Sequence, residues 1–126
     1  MNLVLKSLGD VMYTILEKKK SLNFTYFKAL KEGKFYFVKA LNKDDKDLKE
    51  MMQQEVHMNE ALVNCSFIPK IIEYDLKENY TIVYEYIDGL DLSNCSFSYE
   101  EKIRVFYDLV LKIEQIHKHG IVHCDL

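Results

Sequence analysis

Hydrophobic positions change period along this chain, and the changes divide it into elements. Phe24 to Leu30 and Phe35 to Leu41 are rich in aromatic and β-branched residues, the composition of strands. Between them Lys31-Glu32-Gly33-Lys34 predicts a hairpin turn. A polar stretch carrying Asp44, Asp45 and Asp47 then opens a helix that runs to about Leu62, with acidic residues at the end where the helix dipole is positive. Ile71 to Leu76 and Tyr80 to Ile87 predict a second strand pair around Lys77-Glu78-Asn79. After Asp88-Gly89 the spacing becomes helical. Ser98-Tyr99-Glu100-Glu101 has the form of a capping box, and Ile103, Phe106, Val110 and Ile113 follow at helical intervals. That helix should stop at Gly120, with His117, Lys118 and His119 in its last turn. Strands with one helix, then a mainly helical segment, make an α+β order.

Composition narrows the class further. The chain has 126 residues, enough for one domain or one and a fraction, and 48% hydrophobic with 29% charged residues fits a globular protein. A net charge of −3 advertises neither nucleic acid nor an anionic membrane, and Lys18-Lys19-Lys20 reads as a solvated turn. No apolar run approaches the length of a membrane span. Cys65, Cys95 and Cys124 are odd in number and lack metal-site spacing. Without a signal peptide, a cytoplasmic location is expected.

Two charged residues stand out against their surroundings. Alternation along Phe35-Tyr36-Phe37-Val38-Lys39-Ala40-Leu41 puts Lys39 on one face with Phe35, Phe37 and Leu41, where an ammonium needs an anionic partner or a route to water. On the helix, with Leu48 at zero and about 100° per residue, Met51, Met52, Met58 and Leu62 fall within about 80° of it. Glu55 lands near 340°, in the middle of that apolar stripe, by the same count of about 100° per residue. A buried carboxylate is costly unless paired, so Lys39 and Glu55 make sense together.

At these residues the chain resembles the protein-kinase-like superfamily, in particular eukaryotic-type Ser/Thr protein kinases. Val38-Lys39-Ala40-Leu41 is similar to the strand motif whose lysine holds the α- and β-phosphates of ATP, and Glu55 sits where the family's helix glutamate pairs with it. Tyr84 resembles the gatekeeper, Glu85 and Tyr86 the hinge whose backbone would meet adenine, and Asp91 the residue that reaches the ribose. His123-Cys124-Asp125-Leu126 resembles the start of the catalytic loop, with Asp125 as the group that orients the acceptor hydroxyl.

The resemblance implies a nucleotide-binding lobe over residues 1–87 and the start of a second, mainly helical lobe over 88–126. It implies ATP as a ligand, Mg²⁺ in the complete protein, a protein substrate, and no nucleic acid or membrane. It also meets departures. The stretch Glu17 to Thr25, expected to be the loop that covers the phosphates, has no glycine, so Ser21 and the lysines are left to contact phosphate. Cys124 stands where arginine is usual, and the chain ends before the family's metal-binding segment. The expectation is therefore a fragment, inactive by itself, of an ATP-dependent phosphotransferase. A small-molecule kinase of the aminoglycoside, choline or lipopolysaccharide type, and a non-catalytic pseudokinase-like binding module, are the alternatives. The His117, His119, His123 and Cys124 side chains lack a second cluster that would complete a metal site.

Overall fold

A computed structural model describes residues 3–6 and 12–122 of the chain, with side chains from residue 13 onward. Six strands, β1 (Leu3–Lys6), β2 (Met12–Lys20), β3 (Phe24–Lys31), β4 (Lys34–Leu41), β5 (Ile71–Asp75) and β6 (Thr81–Glu85), form one antiparallel sheet. Their order across it is β1-β2-β3-β4-β6-β5. Helix α1 (Lys46–Ala61) connects β4 to β5, and helix α2 (Tyr99–Lys118) follows the sheet. This is an α+β arrangement of the kind found in the N-terminal lobe of protein kinases.

The local chemistry accounts for the boundaries. Glu32 and Gly33 both have positive φ, 52° and 78°, and join Lys31 to Lys34 in the two-residue connection whose twist suits a hairpin. Asp45 caps α1 by accepting from the Leu48 N–H at 3.0 Å. Ser98 and Glu101 form the reciprocal capping box of α2, and Gly120 follows that helix at φ 75°. Asp75 accepts backbone N–H bonds from Lys77, Glu78 and Asn79 and so folds the β5–β6 turn, which holds its carboxyl below the usual carboxylate range.

Strand alternation divides the core between the two faces of the sheet. Tyr13, Ala29, Val38 and Val83 pack together on one face, where the Tyr13 hydroxyl donates to Glu73 at 2.7 Å. On the other face α1 lays Met52 and Val56 against Phe24 and Ile82. A third cluster, Leu62, Cys65 and Ile116, joins the end of α1 to the end of α2.

Two expectations need correction. Glu17 to Lys20 belong to β2, paired with β3, so the connection between those strands is only Ser21, Leu22 and Asn23. The reason is that Thr25, Tyr26, Phe27 and Lys28 offer Lys20 to Glu17 a continuous antiparallel ladder, which outweighs the loop-like charge of the lysine run. The helix stripe is also rotated. Met52 is fully buried, while Met51 is 58% exposed and Met58 42%. The sheet meets α1 along Leu48, Met52 and Val56, so Glu55 lies at the border of the buried stripe, not at its centre.

The second helix is amphipathic but largely uncovered. Tyr99, Ile103, Phe106 and Tyr107 are each more than half exposed, and Ile116 is its buried residue. No described helix is long and apolar enough to cross a membrane.

Candidate functional site

Strand β4 brings Lys39 to the helix-facing side of the sheet, and α1 brings Glu55 across to it. The Lys39 Nζ donates to Glu55 Oε2 at 2.9 Å. The ammonium also lies 4.3 Å from the centroid of the Phe24 ring, so the cation is held between a carboxylate and an aromatic face. The side chains are 18% and 33% exposed. Partial burial strengthens such a pair over a surface bridge, while residual contact with water lowers its desolvation cost.

Tyr84 completes the group from β6. Its hydroxyl donates to Glu55 Oε1, so the two oxygens of one carboxylate are met by two different strands. Burial above all, then the hydrogen bond to Glu55 and that carboxylate's charge, push the Tyr84 phenol well above its ordinary value. The tyrosine therefore keeps its proton well into the alkaline range.

Around this trio lies a cavity of about 400 Å³ walled by Tyr26, Phe37, Lys39, Tyr84, Tyr86 and Ile87. Tyr26 and Phe37 stack at 5.7 Å between centroids, and Phe37 meets Tyr84 at 6.3 Å. A flat apolar wall with one cation at its edge suits a planar group that carries negative charge. A second cavity, of about 430 Å³, lies along α1 between Met51, Met52, Met58, Leu62 and Ile68. Lys39, Glu55 and Tyr84 line both.

The remaining candidate residues are distributed unevenly. Glu85 borders the first cavity, but its N–H donates to the Lys70 carbonyl at 2.9 Å and its side chain accepts from the Lys70 N–H at 3.0 Å. Its amide is thus spent within the fold, and adenine would have to find other backbone groups. The Tyr86 ring packs on Phe35 and carries Lys28 Nζ 4.7 Å from its centroid. Ser21 turns its hydroxyl to the Phe24 carbonyl at 2.8 Å, and Asn42 donates to the Ser21 carbonyl, so Ser21 braces the β2–β3 turn. Asp91 is exposed at the start of a 3-10 turn over Leu92–Asn94 and does not line the cavity beside Lys39. His123, Cys124, Asp125 and Leu126 lie outside the described residues.

Several contributors are not apparent from sequence spacing. Asn59 ties α1 to the start of β5, donating to the Pro69 carbonyl at 2.7 Å and accepting from the Ile71 N–H at 3.2 Å. Tyr26 and Phe24 come from β3, whose role in the site follows from the β3–β4 register, Tyr26 opposite Lys39. Among the described residues no group of three or more His, Cys, Asp or Glu side chains could hold a metal ion. The Mg²⁺ implied by the resemblance has no ligand set among the described residues.

The chain is similar to the human serine/threonine-protein kinase greatwall, 34% identical over 105 residues, covering 76% of this chain and 12% of that protein. It is similar to the Arabidopsis thaliana serine/threonine-protein kinase RUNKEL, 30% identical over 87 residues, covering 65% of this chain and 6% of that protein. A probable serine/threonine-protein kinase, pkgA of Dictyostelium discoideum, is 29% identical over 108 residues, covering 79% of this chain and 8% of that protein. No family model matches the chain. The sheet with its helix and the similarity to these relatives define a protein-kinase-like lobe. The chain belongs to the protein-kinase-like superfamily, and it spans about an eighth or less of the length of these relatives.

Proposed function

We propose that the chain is the nucleotide-binding part of an ATP-dependent phosphotransferase of the Ser/Thr protein kinase type. Residues 1–87 form the nucleotide-binding lobe and 88–126 begin the second lobe. The observation that carries this reading is the Lys39–Glu55 pair, 2.9 Å apart, at the edge of an aromatic-walled cavity. Lys39 would hold the α- and β-phosphates, with Glu55 keeping its ammonium in place. The stacked Tyr26 and Phe37 rings would receive the base.

Phosphoryl transfer asks the protein mainly for position and charge. In the proposed reaction the acceptor hydroxyl oxygen forms a bond to the γ-phosphorus as the bond to the ADP oxygen breaks. The hydroxyl proton passes to the Asp125 carboxylate. Ser/Thr side chains of proteins are the proposed acceptors, in keeping with what the relatives' names say of those proteins. The short glycine-free turn over Ser21 to Asn23, and Cys124 before Asp125, favour a second reading in which the acceptor is a small molecule such as an aminoglycoside or amino-alcohol.

Titrating MgATP into the chain tests the assignment. Lys39→Met should weaken binding by about tenfold or more, the factor expected for a lost bond to a charged group. Glu55→Gln should weaken it less, because the amide still leaves Lys39 in the cavity. Equal affinity in the wild type and Lys39→Met would remove Lys39 from the nucleotide site. Absence of nucleotide binding at any concentration would favour a non-catalytic binding module.

A further inference from the structure

The hydroxyl of Tyr84 is committed to Glu55, which gives this tyrosine work beyond bordering the cavity. Its ring is fixed by packing. Tyr84 borders the cluster of Met52, Val56, Phe24 and Ile82, and meets Phe37 on its own face of the sheet. A tyrosine on a strand has two side-chain torsions, so a packed ring sets the oxygen's position closely. Glu55 has three torsions, is one-third exposed, and can swing toward water unless something holds it.

We propose that Tyr84 is the positioning residue of the Lys39–Glu55 pair: its O–H anchors one carboxylate oxygen so that the other stays aimed at Lys39. The charged and titratable groups around Lys39 fit this role. Glu55 comes from α1 and Tyr84 from β6, while β3 supplies Tyr26 opposite Lys39 and the Phe24 ring beneath its ammonium. The arrangement also makes the grip of α1 on the sheet three-pointed: Glu55 to β4, Glu55 to β6, and Asn59 to Pro69 and Ile71. What it means for catalysis rests on the reading of Lys39 as the phosphate-holding lysine.

Tyr84→Phe removes the hydroxyl and keeps the ring. The readout is the rate at which the Lys39 amine is acetylated, followed by peptide mass spectrometry, with the exposed Lys118 as internal reference. Freed from an aimed carboxylate, Lys39 should react roughly two- to tenfold faster, the factor carried by one ordinary hydrogen bond. Glu55→Gln should also speed labelling, and adding Tyr84→Phe to Glu55→Gln should change nothing more, because no carboxylate remains to aim. Labelling at the wild-type rate in Tyr84→Phe, or the same increase in both backgrounds, would overturn the proposal. Tyr84→Met, which also lacks the donor, carries the same expectation should the Phe variant not fold. MgATP titration of the same variants separates the two ideas. Faster labelling from Tyr84→Phe in the wild-type background but not in Glu55→Gln, while the wild type itself binds no nucleotide, would remove the proposed function and leave the positioning role intact.

Discussion

Met51 and Met52 are neighbours in sequence with opposite fates, and truncating each in turn tests how α1 sits on the sheet. Met52 is fully buried against Phe24, Val56 and Ile82, whereas Met51 is 58% exposed. Met52→Ala removes three heavy-atom groups beyond Cβ, each comparable to a methylene at about 0.8 kcal/mol, or roughly 2.4 kcal/mol of transfer free energy. The space released joins the cavity of about 430 Å³ that Met52 already borders, so it adds little closed void. Alanine's better helix propensity returns a few tenths of a kcal/mol. The expected loss is about 2–3 kcal/mol, in the lower part of the range for such truncations.

Met51→Ala should change stability by less than about 0.5 kcal/mol, as exposed positions usually do. Urea denaturation followed by far-ultraviolet circular dichroism measures both. With a slope of about 1–3 kcal/mol/M, Met52→Ala should lower the midpoint by roughly 0.7–3 M without changing the slope. Similar losses at the two positions, or a larger one at Met51, would refute the rotated stripe and with it the geometry that places Glu55 at its border.

Two further expectations concern the sheet. Gly33→Ala should destabilise the chain by about 1–2 kcal/mol in the same assay, because φ 78° is costly for an L side chain even though a Cβ there meets nothing within 4 Å; an unchanged midpoint would argue against the left-handed turn. Burial first, then the hydrogen bond to Glu73, raise the Tyr13 phenol above its ordinary value, so the folded state keeps a proton that the unfolded chain releases. The stability from that group is present below about pH 10 and is lost as pH rises beyond it. The wild-type urea midpoint should therefore fall more between pH 8 and pH 11 than that of Tyr13→Phe, and equal falls would exclude the linkage.

The helical face of α2 shows how sequence pattern and tertiary structure divide the work. Ile103, Phe106 and Val110 recur at the helical interval, and the capping box at Ser98 and Glu101 starts the helix where the pattern requires. Nothing in that pattern says what the stripe meets, and among the described residues Ile103 and Phe106 lie more than half exposed. The lysine run is the reverse case. Lys18 to Lys20 look like a turn by charge, yet their backbones pair with Phe27, Tyr26 and Thr25, because a ladder depends on main-chain groups that charge does not reveal.

By itself the sequence determined the α+β order, the caps, the hairpin at Glu32-Gly33 and the oddity of Lys39 and Glu55 on apolar faces. These rest on local periodicity and on short-range hydrogen bonding, which the order of residues encodes directly. The tertiary structure decided the rest. It set the rotation of α1 that buries Met52 and exposes Met51, spent the Glu85 amide on Lys70, and brought the Tyr84 hydroxyl to Glu55 from a strand 29 residues away. Those outcomes depend on which faces pack and at what register, and that is settled only when the whole sheet closes around its helix.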